Sequence, residues 1–442
     1  MDEFASVSFA EIKAFREKYQ QSTLSQAAAR AASRASLQDI CYNNQQAAGL
    51  SQKFSVNIPT MEACNQKASG RCWIFAALNI LREKLAKEKN LPDFELSQSY
   101  FSFYDHLEKA NTFYMHILET AEETLGSRYV SMLLSDPIGD GGWWEYFVGL
   151  CEKYGAVPKE AMPETYQSQH SEHMNTLLSM QLRKDALALR KAAAQHTSPE
   201  HLQAMKESML SRVYNVLAVC LGTPPEVFDF EYVDKDGTYH ADRSLTPHGF
   251  YDRYIGRNLS DIVSILNAPI PSAPFYGVYY TQGEESIYGA YQSRRLNLPM
   301  EEFKAAVIRQ LQAGEPTWFV CDCDYYGSKE AGIWDTALYD YESLLSLDLA
   351  LQKGDLLDLR QCTLNHAMVL TGVNLVDGKP DKWKVQNSWG TDCAQKGYFV
   401  ISDSWFDRYV FTASIDKKYL TPEQRSCFDR EATMLPPWNV LG

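Results

Sequence analysis

Long apolar runs are missing from this 442-residue chain. Its most apolar stretch, Ile262 to Tyr280, is broken by Asn, Pro, Ser and Gly and falls short of the ~20 residues that a membrane span requires, so no membrane partner is expected. An excess of positive charge is missing too. With 42 Lys and Arg against 56 Asp and Glu, the net charge of −14 repels phosphate backbones and argues against nucleic acid as a partner. The start, Met1-Asp2-Glu3-Phe4-Ala5-Ser6, lacks the basic residues and apolar core of a secretory signal. Ten cysteines over this length lack the density of a disulfide scaffold, which points to reduced thiols in a cytoplasm. Cys321-Asp322-Cys323 and the Cys362/His366 pair have no second ligand pair at zinc-finger spacing, so neither a metal nor another cofactor is expected. There is no internal repeat and no low-complexity linker.

What is present is a globular composition, 45% hydrophobic and 22% charged, long enough for two or three structural units. Residues 8 to 50 read as a polar, Ala-rich helical arm with Phe9, Ile12, Phe15 and Tyr19 at helical spacing, and Ser8 ahead of Glu11 marks its start. Ile74, Leu78, Leu81 and Leu85 place a second helix immediately after Cys72. Residues 171 to 221 read as two helices joined at Thr197-Ser198-Pro199. Strands are expected at 276–280, 317–321, 366–373, 383–386 and 398–401. A helical first half and a stranded second half give an α+β fold.

A thiol at a helix N-terminus faces unpaired N–H groups and the positive end of the helix dipole, which favour its thiolate. That makes Cys72 a candidate nucleophile, although cysteines at helix starts commonly serve only to pack. A nucleophile of this kind needs a base that also protonates the leaving amine, and histidine titrates in the right range. Of nine histidines, His366 opens a strand (Asn365-His366-Ala367-Met368-Val369-Leu370), and Gln386-Asn387-Ser388-Trp389-Gly390 closes the next. A hairpin turning at Val376-Asp377 puts His366 opposite Asn387; a looser loop over Asp377 to Lys382 shifts that register.

Ser69-Gly70-Arg71-Cys72-Trp73 resembles the signature around the nucleophile of papain-like cysteine peptidases, and Asn387-Ser388-Trp389 resembles their Asn-Ser-Trp motif. The resemblance implies Cys72 as nucleophile, His366 as base, Asn387 as the group orienting it, Gln66 as oxyanion donor and Trp389 as a shield. Ser69 stands where secreted relatives carry a disulfide cysteine, in keeping with a reducing compartment. His366 follows Cys72 by 294 residues rather than the usual 130–150, so material of domain size is inserted between them.

Asn65 to Asn79, Asp140-Gly141-Gly142-Trp143-Trp144, Phe228 to Tyr232 and Asp416 to Leu420 look like the bleomycin hydrolase and aminopeptidase C branch. This implies a two-lobed core, helical lobe plus antiparallel β lobe, with helical insertions and an N-terminal helical arm. The expected divisions are 1–55 (arm), 56–165 (helical lobe with the nucleophile), 166–260 (inserted helical hook region) and 261–442 (β-rich lobe with His, Asn and the tail). It further implies a homohexamer and release of amino-terminal residues from peptide substrates. Asp140-Gly141-Gly142 reads either as the glycine edge that binds the substrate backbone or as a plain turn before a helix. In this branch the C-terminal carboxylate lies in the cleft, which makes Gly442 a candidate substrate contact. The ending Leu435-Pro436-Pro437-Trp438-Asn439-Val440-Leu441-Gly442 is shorter than the family's, and an open cleft would cut internal bonds instead. Endopeptidase activity on short peptides, a non-catalytic nucleic-acid-binding or assembly protein, and an acyltransferase or deamidase are the competing readings.

Overall fold

The computed structural model describes residues 6–256, 258–290 and 292–441. The arm begins where the sequence places it. Ser8 caps the helix Phe9–Gln21 in a reciprocal box with Glu11, and short helices Thr23–Ala32, Leu37–Cys41 and Asn44–Gly49 follow. Phe9, Ile12, Phe15 and Tyr19 are all exposed, so the apolar stripe of the first helix is not buried within the described chain.

The helical part is built on Cys72–Glu88, Gln98–Glu119 and Trp144–Tyr154, with Glu172–Ala194 and Pro199–Leu221 stacked on the second of these. Ser198 caps the last helix with Pro199 in its first turn, which explains the break between the pair. Trp73, Phe101, Phe147, Leu182 and Leu217 lie in their common core.

A twelve-stranded sheet forms the other part. Its middle runs Ile262–Leu266, Val410–Asp416, Thr317–Cys321, His366–Val376, Lys379–Gln386 and Tyr398–Ser402, each hydrogen-bonded to the next. The sheet is mixed, since three of its pairs are parallel, Ile262–Leu266 with Arg295–Asn297 among them. Alternation joins the two cores: Trp318, Val320, Ala367 and Val369 pack on the helices, whereas Phe319, Cys321, Met368 and Leu370 pack into the sheet's own core. Strands buried on both faces read as continuous apolar runs for this reason.

The hairpin carrying the histidine turns one residue later than expected. Asp377 and Gly378 both take positive φ (50° and 78°), the two-residue geometry that matches strand twist, and the register pairs Val369 with Gln386. His366 pairs instead with Cys321 on its other side. The slip amounts to two residues at both ends of the ladder, where an even slip preserves which face each side chain occupies, and irregularities make it three from Gly372 to Asn374.

Candidate active site

Cys72 opens the helix Cys72–Glu88, with Arg71 at its N-cap and no side chain capping it. The loop before it is held by buried polar contacts. Arg71 is fully buried and forms a two-pronged ion pair with Glu164 (3.1 and 2.7 Å), while its Nε donates to Ser69 Oγ at 3.0 Å. Ser69 in turn donates to the Gln66 carbonyl at 2.7 Å. Hydrogen bonds thus take up the position that a disulfide cysteine occupies in secreted relatives.

The same loop is laced to the strand-borne asparagine. Gln66 N–H donates to the Ser388 carbonyl at 2.8 Å, and Gly390 N–H donates to the Cys64 carbonyl at 2.9 Å. Gly390 has φ +80°, and a Cβ there would meet Asn65 Nδ2 at 2.5 Å, so only glycine admits this crossing. Trp318 of the sheet also donates its indole N–H to the Trp73 carbonyl at 3.2 Å.

His366 and Asn387 are both buried, and His366 Nε2 lies 2.9 Å from Asn387 Oδ1. The same Oδ1 accepts the Ser388 N–H at 2.7 Å, which fixes it as the oxygen of the amide. His366 Nε2 must therefore be the protonated nitrogen, leaving the lone pair on Nδ1. The Trp389 ring stacks on the imidazole, with centroids 5.1 Å apart and planes at 22°. The backbone N–H of Ala367, next to His366, donates to Cys72 Sγ at 3.4 Å, so the start of the Cys72 helix and the start of the His366 strand meet at the boundary between helices and sheet.

Burial pushes the Cys72 thiol up to about 11, against the N–H groups of Ala367 and Trp73 that favour its anion; the Asp140 charge adds to the rise. Burial also lowers His366, and the hydrogen bond to Asn387 only partly offsets this. Burial therefore works against both charged forms, the Cys72 thiolate and the His366 imidazolium.

Gln66 Nε2 donates one hydrogen to the Ser69 carbonyl at 2.7 Å, and the amide's second hydrogen remains available. Gly141 and Gly142 edge a cavity of about 470 Å³ whose wall also includes Trp143, Glu284 and Pro437. The Asp140 side chain turns inward, where it accepts Gly70 N–H at 2.7 Å, and its carbonyl accepts the Trp73 indole N–H at 2.6 Å. It braces the residues on both sides of Cys72. Gly442 lies outside the described residues, but the tail leading to it is placed: Leu441 is buried, with its carbonyl 3.4 Å from Arg295 Nη1, and the Arg295 guanidinium lies over the Trp143 ring. Among the described residues all ten cysteines are free, no three His, Cys, Asp or Glu side chains form a metal cluster, and no helix is long and apolar enough to cross a membrane.

Arg71–Glu164 and the Asp140 brace were not visible in the sequence. Glu164 lies in a loop far from Arg71 along the chain, and a buried ion pair leaves no local pattern. The one available signal was an arginine inside an otherwise apolar helix start.

A thiol at a helix start, held against the strand that carries an imidazole whose tautomer an asparagine fixes, is the arrangement of papain-like cysteine peptidases, and this chain is an enzyme of that class. More narrowly, it belongs to the Peptidase C1-like family, whose profile matches residues 6–442. It is 42% identical over 403 residues to Aminopeptidase C of Lactobacillus delbrueckii subsp. lactis, covering 90% of each chain. It is 38% identical over 433 residues to Aminopeptidase G of the same organism, covering 98% of each. Among solved structures, PepW from Lactobacillus rhamnosis superimposes with a TM-score of 0.97 at 42% identity over 99% of both chains.

Proposed function

We propose that this cysteine peptidase removes amino-terminal residues from peptides through an acyl-enzyme on Cys72. His366 Nδ1 takes the Sγ proton as sulfur attacks the substrate carbonyl, and the Gln66 amide with the Cys72 N–H stabilises the oxyanion. Collapse expels the amine, which takes the proton back from the imidazolium. Water then hydrolyses the thioester, with His366 again as base. Trp389 keeps water from the His366–Asn387 bond.

The observation that carries the exopeptidase reading is the tail. Pro437 lines the cavity beside Gly141–Trp143, and Leu441 is buried at Arg295 next to Trp143, which supports a tail that would limit one end of the cleft. The names of the aminopeptidase relatives support the same reading. A second reading, cleavage of internal bonds, is favoured by the cavity of about 470 Å³ that stays open beside Gly141–Trp143. Offering one purified sample both free-amine dipeptides and amino-blocked longer peptides separates them: preference for the blocked peptides refutes the aminopeptidase reading.

A cytoplasmic setting is supported by ten free thiols and by Ser69 in place of a disulfide partner. Assembly into a homohexamer is supported by the exposed Phe9, Ile12, Phe15 and Tyr19 stripe, which a neighbouring copy would cover. Sedimentation of the intact enzyme and of a variant with Asp at Phe9 and Phe15 tests this, and an unchanged mass refutes the stripe's role.

A further inference from the structure

His106, in the middle of the helix Gln98–Glu119, is fully buried, and nothing in the peptidase chemistry calls for it. Its Nδ1 lies 2.7 Å from the Ser102 carbonyl, which can only accept. Its Nε2 lies 2.9 Å from Asn175 Oδ1 and 3.3 Å from Asp140 Oδ1. The Asn175 amide is not free to turn over, because its Nδ2 donates to Asp140 Oδ1 at 2.7 Å. Both ring nitrogens therefore face acceptors, and only an imidazolium satisfies both.

The proton has a structural consequence two residues from the nucleophile. Asp140 Oδ2 accepts the Gly70 N–H and the Ser171 hydroxyl, and the Asp140 carbonyl accepts the Trp73 indole N–H. A Cβ on Gly70 would come within 2.9 Å of Asp140 Cβ, so the two are in direct contact. We propose that His106 is a permanently protonated positioning residue, whose charge holds Asp140 as the carboxylate that fixes the loop and helix start around Cys72.

The charge also matters by itself. Asp140 is close enough to disfavour the Cys72 thiolate, and the cation behind it cancels much of that field. Burial opposes both ions of the pair, yet the Asp140 hydrogen bond and charge leave His106 raised, and donors from His106, Ser171 and Asn175 hold Asp140 far below the usual carboxylate range. The other charges facing His106 come from its own helix. Asp105 favours the imidazolium and Lys109 opposes it, and these two are bonded to each other at 2.6 Å. The helix Glu172–Ala194 contributes the neutral Asn175.

The test is His106→Gln in the full-length enzyme, since glutamine donates a hydrogen bond without carrying charge. The expected result is kcat lower by about 10–100-fold with KM changed less than about twofold, together with an upward shift in the pH at which iodoacetamide half-maximally labels Cys72. A purely structural role would not move the labelling profile. Wild-type kcat with an unmoved profile overturns the proposal. Should the variant fail to fold, solid-state NMR of 15N-histidine-labelled wild type at pH 8.5 decides. An imidazolium signal at that pH supports the proposal, and nine neutral rings overturn it.

Discussion

Gly142 lies against the face of Trp73, where a Cβ at position 142 would come within 2.6 Å of the indole. The ring belongs to the residue directly after the nucleophile and also donates to the Asp140 carbonyl. The Asp140–Gly142 loop and the helix start are therefore one packed unit. Gly142→Ala has to displace one against the other, at a cost of about 1–3 kcal/mol by overpacking. The expected outcome is a kcat/KM lower by roughly tenfold or more with a modest fall in Tm. Wild-type kinetics in a folded variant would show that the cleft tolerates a wider gap.

The Arg71–Glu164 pair anchors the same loop from beneath. Glu164→Ala leaves a buried guanidinium with only Ser69 Oγ and the Phe75 ring for company. Loss of about 3–5 kcal/mol is expected, because an uncompensated buried charge is costlier than the pair is favourable. Urea denaturation of wild type and variant measures it.

Asn387→Ala removes the acceptor that fixes the His366 tautomer. The imidazole can then turn or carry its proton on Nδ1, where it is useless as a base toward Cys72. A fall in kcat of about 10–100-fold is expected, below the 10²–10⁴ range of acid–base catalysis as a whole because the base itself remains. Burst kinetics with an activated ester locates the loss in acylation; an unchanged acylation rate would remove Asn387 from the mechanism.

Acid should affect activity and stability in the same direction. Burial holds His366 below its usual value of about 6.5, so the neutral base persists to lower pH, and kcat/KM falls only as the pH drops through that depressed value. In the unfolded chain the same residue takes up its proton near 6.5. Stability from this group is therefore fully present above that pH and is lost as the pH falls toward the folded value. At the other extreme, with the Cys72 thiol pushed up to about 11, its labelling by iodoacetamide should rise again as that pH is approached. A flat labelling profile from pH 5 to 10 would mean a resting thiolate–imidazolium pair instead.

The residues proposed to react were legible as candidates because each sits in a short local motif: Cys72 at a helix start, His366 opening one strand, Asn387 closing the next. The strands at 317–321 and 366–376 were legible through their continuous apolar residues. Less legible was Ile262–Leu266, which lies beside Val410–Asp416 in the sheet only because distant segments meet there. The expected hairpin register was two residues off, since nothing local distinguishes Val376-Asp377 from Asp377-Gly378 as the turn except the glycine's tolerance of positive φ. Asp140 was legible as part of a glycine turn. Its inward role was not, because its partners Gly70, His106, Ser171 and Asn175 come from three other segments. The thiolate expected from the helix dipole is opposed in the folded chain by burial, which leaves no mark in the sequence.

The most direct measurement is peptide turnover by purified Cys72→Ala, compared with wild type at matched secondary structure and Tm. Complete loss of hydrolysis in a folded variant is the expected result, because the proposed acyl-enzyme forms on the Cys72 sulfur. Retained hydrolysis would contradict Cys72 as the nucleophile and, with it, the roles given to His366, Asn387 and Gln66.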